Sequence, residues 1–347
     1  MSRSCVRAEG FFMNRKKNSN KNTTHFYKSW EFVLVILLIL VFIFDSSLSR
    51  KFLNISNLLD TTQIFMEFAI MTLPLTLIIM TGFIDISIGS ITALSSVVMG
   101  ALFRYGMNIW IAAVFAILTG VLAGFFNGII ITKLQIPSIV ITLATMIFFR
   151  GIAYIILEDN VVTGFPEKFG IFGGTYKQFF VPIQLIIYIV LAGVFGVILH
   201  RTKFGRLLYA MGNNENTCRY SGIPVDEIRL ILFTISGMMA GFVGVILSSR
   251  LGSVRPDIAY GYELKVITIV VLGGVAIFGG KGSLLGVVLA TFIIGYINYG
   301  FKLINVKEQI IAIITGAILI IVLLVPTIGY KLRSKRMIYN KVEDEGV

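Results

Sequence analysis

Long apolar runs separated by short polar segments dominate the chain. A helix needs about 20 mostly apolar residues to cross the hydrocarbon core of a bilayer, and ten segments approach that length. They are residues 29–48, 58–82, 86–103, 109–132, 138–157, 181–200, 229–249, 262–278, 284–301 and 309–326. The pattern predicts an all-α, polytopic membrane protein with about ten transmembrane helices. Gly82, Gly89 and Gly100 crowd the second to fourth segments, so eight or nine spans remain an alternative.

The composition of the chain supports the same class. Hydrophobic residues make up 56% of its 347 residues and charged residues 14%. A soluble protein averages roughly 45–50% apolar and about 25% charged residues. A water-soluble fold of this size cannot hide such a surplus, because it needs far more polar exterior. Much of the outer surface must therefore face lipid, with the backbone polar groups paired inside helices.

The basic residues lie mainly at the two ends of the chain and in one internal loop, and the formal net charge is +12. The terminal bases are Arg3, Arg7, Arg15, Lys16, Lys17, Lys21 and Lys28 at one end and Lys331, Arg333, Lys335, Arg336 and Lys341 at the other. Bases that flank membrane spans mark the cytoplasmic side. We therefore predict that both termini are cytoplasmic, and the position of the charges favours membrane topology over nucleic-acid binding.

Three regions follow from these patterns. We predict that residues 1–28 form a basic cytoplasmic tail, residues 29–327 a transmembrane domain, and residues 328–347 a second cytoplasmic tail. Within the domain, residues 201–228 form the longest internal polar loop, and their basic side chains place this loop in the cytoplasm.

The cytoplasmic loop carries signals for a short helix. Asn213 is a suitable N-cap, residues 214–221 give about two helical turns, and Gly222 followed by Pro224 prevents continuation. A short capped helix between two spans is a compact element that suits docking into a groove of a soluble partner.

Charged residues within the apolar segments are candidates for function, because a charge at membrane depth costs about 2.5–3.5 kcal/mol on insertion scales. Asp85 is interpreted mainly as a cap for the helix that follows it, with direct contact to cargo as the alternative. Arg150 needs a carboxylate partner or water. An ion-coupled carrier would need several buried acids, and Glu67, Asp85 and Glu263 are the only candidates.

Two glycine clusters and a polar loop complete the set of candidate sites. Gly273, Gly274, Gly279, Gly280 and Gly282 favour close helix packing and a tight turn over phosphate binding, because the strand and helix context of a phosphate loop is missing. The polar loop before the first cluster offers Arg255, Asp257 and Glu263 as a docking surface for a protein that delivers cargo outside the cell.

Catalytic and nucleotide-binding patterns are missing from the sequence. His25 and His200 are the only histidines, and Cys5 and Cys218 are far apart, so neither a catalytic triad nor a metal site nor a disulfide framework is indicated. The chain contains no G-x-x-x-x-G-K-[ST] match. We therefore expect that this chain is not an enzyme, and that any ATP hydrolysis takes place on a separate chain.

Four segments resemble the permease subunits of bacterial ATP-binding-cassette importers for ribose, xylose, galactose, rhamnose and autoinducer 2. Residues 82–90 resemble the Gly-(Gly)-Ile-Asp-(Leu/Ile)-Ser-(Val/Ile)-Gly-Ser motif, and residues 133–151 resemble a Lys-x-x-(Ile/Val)-Pro stretch that ends in Arg-Gly. Residues 205–222 resemble the cytoplasmic coupling segment, and residues 248–283 resemble an SRLGS to GGxGS stretch. The chain departs from the family at Phe83, where a second glycine is common, and at Ala276-Ile277-Phe278.

The resemblance implies a subunit that pairs with a second copy or a homologous permease, with the transport pathway between them. Two ATPase subunits, which use ATP and Mg²⁺, would dock on the coupling segments, and an extracytoplasmic sugar-binding protein would deliver cargo. No cofactor or metal is implied on this chain. The matched coupling residues are Gly205, Ala210, Gly212, Asn213, Asn214, Arg219, Ser221 and Gly222. The matched pathway or structural residues are Gly82, Asp85, Ser87, Gly89, Pro137, Thr142, Arg150 and Gly151.

The resemblance predicts import of a simple sugar through the bacterial cell membrane, and other interpretations stay open. An autoinducer 2 permease fits the same motifs. A branched-chain amino acid permease belongs to a related family, although residues 205–222 and 261–283 favour the sugar branch. An ion-coupled secondary carrier is the alternative from a different class, and it leaves the short cytoplasmic helix without a role.

Overall fold

The computed structural model describes residues 30–48, 52–173, 181–307, 309–318, 320–321 and 324. The helices are α1 (Trp30–Leu48), α2 (Ile55–Met80), α3 (Ile88–Arg104), α4 (Ile109–Leu134), α5 (Ser138–Leu157), α6 (Ile183–Arg201), α7 (Lys203–Asn213), α8 (Glu215–Tyr220), α9 (Val225–Leu251), α10 (Tyr262–Leu272), α11 (Leu284–Leu303) and α12 (Gln309–Ile318). A 3₁₀ helix at Glu167–Gly173 and two antiparallel strands, β1 (Val162–Thr163) and β2 (Ser253–Val254), lie between them. Both predicted tails lie outside the described residues, and so do Cys5 and His25. The end of the tenth predicted span also lies outside them.

Within the described residues, seven helices are long and apolar enough to cross a membrane: α1, α2, α4, α5, α6, α9 and α11. Several of them expose large apolar side chains, for example Ile147 and Ile155 of α5, which are 68% and 79% exposed. Such exposure is expected for side chains that face lipid. The prediction of an all-α polytopic membrane protein is confirmed, while the count of ten spans and the cytoplasmic termini stay predictions.

Helix α2 forms the centre of the bundle. All its residues from Phe65 to Met80 are buried, and α6, α9, α10 and α11 pack around it. Beside it, α4 and α9 approach each other at backbone distance. A Cβ on Gly124 would lie 2.9 Å from the Cα of Gly237, and small residues of this kind let membrane helices pack closely.

The predicted continuous helix at residues 262–278 is shorter than expected, because α10 ends at Leu272. Its 11 residues extend only roughly 16 Å at 1.5 Å per residue, and the hydrocarbon core is about 30 Å thick. The helix stops because Gly274 adopts a φ of 86°, and the Trp30 indole donates to the Leu272 carbonyl at 2.8 Å. A Cβ on Gly273 would lie 2.6 Å from the backbone of α11, so this cluster also allows close packing.

Candidate functional site

The segment that is predicted to couple with a partner folds into two short helices rather than one. Helix α7 begins after Thr202, whose Oγ1 accepts a hydrogen bond from the Gly205 N–H at 3.3 Å. Glycine is required at 205 because a Cβ there would overlap the carbonyl of Leu199. The buried side chains of Leu208 and Met211 recur at helical spacing, which explains why this amphipathic stretch forms a helix against the bundle.

The N-cap of α8 is Asn214, so the prediction that Asn213 caps this helix is wrong. The Thr217 N–H donates to the Asn214 side-chain oxygen at 2.9 Å. Asn213 instead ends α7, and its amide donates to the Tyr209 carbonyl at 2.7 Å. The sequence analysis missed α7. Because α7 extends to Asn213, the N-cap of α8 is one residue later than predicted. The Ala210 carbonyl accepts the Asn214 N–H at 3.1 Å, which closes the turn between the helices.

Helix α8 ends as a capped, separate element. The Ser221 N–H donates to the Thr217 carbonyl at 3.0 Å. Gly222 follows with a φ of 78°, a left-handed conformation that favours glycine after a helix. Tyr220 is 92% exposed, so the end of α8 projects from the bundle.

The glycine turn formed by Gly279, Gly280 and Gly282 lies against α7. The Gly280 N–H donates to the last carbonyl of α2 at 2.9 Å, and the Tyr209 hydroxyl donates to the Gly282 carbonyl at 2.8 Å. A Cβ on Gly212 would overlap both that α2 carbonyl and the Gly280 backbone. Two motifs that are distant in sequence therefore form one backbone-to-backbone contact, which only glycine permits.

An ion-pair cluster connects α8 to the start of α9. Arg219 contacts Glu215 at 3.0 Å and Asp226 at 2.6 Å. Arg229 contacts Glu215 at 2.6 Å, and its guanidinium lies 4.1 Å from the centre of the Phe83 ring. The hydrogen bonds to Asp226 and Glu215 hold the pKa of Arg219 above its ordinary value. The cluster therefore reaches from the predicted coupling helix to the segment that follows α2.

A fully buried polar cluster follows Gly82, whose φ is 84°. Asp85 accepts hydrogen bonds from the Ser87 N–H at 3.0 Å and the Ser87 hydroxyl at 2.6 Å. Its other oxygen accepts from the Ser236 hydroxyl at 2.8 Å, and the Asn127 amide donates to the Ser87 hydroxyl at 2.8 Å. Asp85 thus holds the backbone directly before α3 and ties it to α9, while Ser87 ties it to α4. The N-cap of α3 is Ser87 rather than the predicted Asp85.

The start of α5 contacts the same segment. Pro137 precedes α5, and the Ile84 N–H donates to the Ser138 hydroxyl at 3.0 Å. The Thr142 hydroxyl donates to the Ser138 carbonyl at 2.8 Å and lies 3.4 Å from the Ile84 carbonyl. Residues 81–87, which we call the α2–α3 segment, are therefore held by α4, α5 and α9 together.

At the other end of the bundle, Arg150 organises the loop before α10. Its Nη1 atom donates to the Pro256 carbonyl at 2.8 Å and to the Ile258 carbonyl at 2.7 Å. The guanidinium also lies 5.9 Å from the centre of the Tyr260 ring. Backbone carbonyls thus take the place of the expected carboxylate or water. A Cβ on Gly151 would meet nothing within 4 Å, so packing does not explain that glycine.

The three docking candidates differ in their surroundings. Arg255 and Asp257 pair with each other through Nε and Oδ1 at 2.9 Å and are exposed. Glu263 faces α3, where a Cβ on Gly89 would lie 2.5 Å from its Oε2 atom. The structure therefore leaves Arg255 and Asp257 on the surface and directs Glu263 towards the interior.

Sequence analysis missed two polar residues, the partner of Glu67 and the buried Asp45. Arg250 pairs with the fully buried Glu67, and Asp45 is buried against Gly300. Asp45 could have been found in the same way as Asp85, because both are acidic residues inside an apolar segment. In the described part of the chain, no three His, Cys, Asp or Glu side chains form a group suited to a metal ion.

Comparison with known proteins adds independent information. A family model described as "Branched-chain amino acid transport system / permease component" matches residues 57–323. The autoinducer 2 import system permease protein LsrD of Yersinia enterocolitica is 37% identical over 300 residues, which cover 84% of this chain and 90% of the relative. The proteins of the same name from Enterobacter sp. and Klebsiella pneumoniae are each 32% identical over 302 residues, which cover 85% of this chain and 92% and 91% of those relatives. No solved structure matches.

Proposed function

Since the chain belongs to the branched-chain amino acid transport system / permease component family, we propose that it forms the pathway of an ATP-driven importer for autoinducer 2. It is a multi-pass permease of the bacterial cell membrane. The relatives named above are autoinducer 2 import permeases. Their names point to one cargo, whereas the sequence motifs predict only a simple sugar. A ribose-like monosaccharide is the second candidate, because the sequence motifs fit both cargoes.

The contact of α7 and α8 with the bundle carries this proposal. Helix α8 is capped at both ends and projects its last residue, Tyr220, into the surroundings. Behind it, the Arg229 guanidinium contacts both Glu215 of α8 and Phe83 of the α2–α3 segment. A partner that moves α8 therefore also moves α9 and the α2–α3 segment. Such packed elements transmit a shift because they have discrete arrangements.

The proposal includes three kinds of partner. ATPase subunits dock on α8 and supply ATP and Mg²⁺, so this chain needs no cofactor of its own. A binding protein for the cargo docks at the loop that carries Arg255 and Asp257, at the opposite end of α9. A second permease copy, or a homologous permease, completes the pathway.

The contacts of Asp85 and Glu67, two of the three candidate acids, favour this proposal over an ion-coupled carrier. Both oxygens of Asp85 accept hydrogen bonds from serine side chains or backbone, and Glu67 pairs with Arg250. An ion relay would need carboxylates that exchange partners along a path. The observed contacts are those of structural groups.

Co-purification followed by an uptake assay tests the proposal. The tagged chain is extracted from its native membrane in mild detergent, and the proteins that accompany it are identified by mass spectrometry. We expect an ATPase subunit and a secreted binding protein, and we expect uptake of autoinducer 2 that excess ribose does not inhibit. Inhibition by ribose together with absent autoinducer 2 uptake would favour a sugar cargo. Uptake that persists without any ATPase would contradict the importer mechanism.

A further inference from the structure

Helix α3 begins in the middle of the membrane rather than at one of its faces. It runs beside α9 in the same direction, because the Thr92 hydroxyl donates to the Ala240 carbonyl at 3.1 Å. One turn later, the Ser96 hydroxyl donates to the Gly244 carbonyl at 3.1 Å. This pairing places the start of α3 beside Ser236, which is 11 residues after the start of α9 and 15 residues before its end. Since α9 is long enough to cross the membrane, α3 starts about halfway across it.

The loop before α10 reaches the same depth. Near the far end of α3, a Cβ on Gly100 would lie 3.2 Å from the Val254 side chain, and near its start a Cβ on Gly89 would lie 3.0 Å from the Ala259 carbonyl. The two glycines are 11 residues apart in α3, which corresponds to about 16 Å at 1.5 Å per residue. Residues 255–261, which form no regular helix, therefore run from one face into the membrane. Helix α10 begins midway, so its 11 residues are those of half a span.

Non-helical backbone inside a membrane is tolerated only where protein covers it or where it lines a water-filled cavity. Arg150 covers part of this segment through its hydrogen bonds to the Pro256 and Ile258 carbonyls. The neighbouring part is left open by the described chain, because Tyr260 is 81% exposed and Leu264, in the first turn of α10, is 58% exposed. This open face therefore meets water or a second subunit rather than lipid.

Glu263 lies beside the open face and has unused hydrogen-bonding capacity. Its Oε2 atom packs towards Gly89, and no donor in the described part of the chain reaches that oxygen. The backbone of Gly261 and the charges of Arg150 and Lys265 act on the same carboxylate, but they leave Oε2 without a hydrogen bond. An acidic side chain at this depth is costly, so it faces a polar cavity, a partner or a transport pathway.

We propose that the start of α10 lines the cargo pathway at the middle of the membrane, where Glu263 accepts hydrogen bonds from a small, neutral cargo that is rich in hydroxyl groups. The Tyr260 ring offers this cargo an apolar surface near the carboxylate. Ala259 supports the assignment, because its φ of 58° is a left-handed conformation that is costly for alanine and that clusters at functional sites. The inference rests on the proposed transport function and deepens it, because it names residues that contact the cargo.

Thiol labelling tests whether the open face meets water. The complete importer carries Tyr260→Cys, with Cys5→Ser and Cys218→Ser to remove the natural thiols, in nanodiscs that leave both membrane faces accessible. A small hydrophilic thiol reagent is added with and without ATP and Mg²⁺. Leu122→Cys is the control, because Leu122 is 67% exposed in the middle of the membrane-spanning α4.

A thiol in apolar surroundings stays protonated and unreactive, so we expect Tyr260→Cys to react at least about tenfold faster than Leu122→Cys with or without ATP. Equal rates of the two variants under both conditions would overturn the proposal.

Uptake tests the role of Glu263. With saturating, cargo-loaded binding protein, Glu263→Ala should lower the uptake rate of autoinducer 2, or of ribose if that is the cargo, at least about tenfold, the factor for one hydrogen bond to a charged group. Glu263→Gln keeps an acceptor oxygen and should lose less. Glu158→Gln, at the exposed end of α5, is the control and should transport like the natural protein.

Thermal midpoint, basal ATP hydrolysis and co-purification of the ATPase are measured for each variant, and all three should stay unchanged in Glu263→Ala. A natural uptake rate in a stable Glu263→Ala importer would overturn the role of Glu263 while the importer function stands. Absence of the ATPase from the natural protein would instead contradict the proposed function.

Discussion

The Nη2 atom of Arg229 donates a hydrogen bond to Oε1 of Glu215 at 2.6 Å. This contact joins the first turn of α8 to the first turns of α9, and the Arg229 side chain is only 4% exposed. Because a buried guanidinium needs its partner, α8 and α9 are expected to move together.

Arg229→Gln tests this connection. We expect the free energy of unfolding to fall by about 1.5–3 kcal/mol, the range for hydrogen bonds to charged groups. Uptake should fall further than the amount of folded protein, while the ATPase still co-purifies, because the docking surface of α8 remains. Thermal unfolding, co-purification and uptake are measured in parallel. Arg201→Gln is the control, since Arg201 lies at the exposed end of α6 and does not belong to the ion-pair cluster. Equal effects of the two substitutions would contradict a special role for Arg229.

Gly212→Ala tests the contact between α7 and the glycine turn. Even one methyl group would overlap the Gly280 backbone, so we expect a lower thermal midpoint and loss of ATPase association or uptake, with the protein still inserted in the membrane. Gly193→Ala in α6 is the control, because a Cβ there meets nothing within 4 Å. It should leave the midpoint unchanged or raise it slightly, since alanine favours a helix by about 1 kcal/mol. Normal uptake and association in Gly212→Ala would remove the coupling role of this contact.

Asp85→Ala tests the polar cluster at the α2–α3 segment. Removal of the carboxylate leaves the Ser87 N–H and the Ser236 hydroxyl without their acceptor, and we expect a loss of about 3 kcal/mol or more in unfolding free energy. Asp85→Asn keeps one acceptor oxygen and offers a donor to Ser236, so it should retain most of the stability and uptake. Denaturant unfolding and uptake distinguish the two variants. Abolished uptake in a stable Asp85→Asn protein would instead support an ion-coupling role.

Arg150→Gln tests how the loop before α10 is held. The shorter amide cannot reach both the Pro256 and Ile258 carbonyls, so the amides of this loop should exchange hydrogen faster, about tenfold for each 1.4 kcal/mol lost. Hydrogen exchange with mass spectrometry measures the change. Arg104→Gln, at the exposed end of α3, is the control and should leave the loop protected. Unchanged exchange in Arg150→Gln would show that other contacts hold the loop.

The sequence by itself determined the class of this protein. Apolar runs of sufficient length, separated by polar segments, allow few solutions other than membrane helices, because every backbone polar group in lipid must be paired within its own segment. Local chemistry also identified the loop at residues 201–228 as structured and marked Gly222 as the end of its short helix. These features depend on neighbouring residues along the chain, so the linear pattern contains them.

Only the tertiary structure decided which distant groups meet. The pattern of residues 262–278 satisfies a span, yet α10 stops at Leu272 because Gly274 is left-handed and the Trp30 indole takes the helix-end carbonyl. The contact between Gly212 and the glycine turn joins positions almost 70 residues apart. The pair of Arg250 and Glu67 joins α9 to α2. Such contacts depend on how the helices pack against one another, and hydrophobic periodicity fixes which face is apolar without fixing which helix it meets.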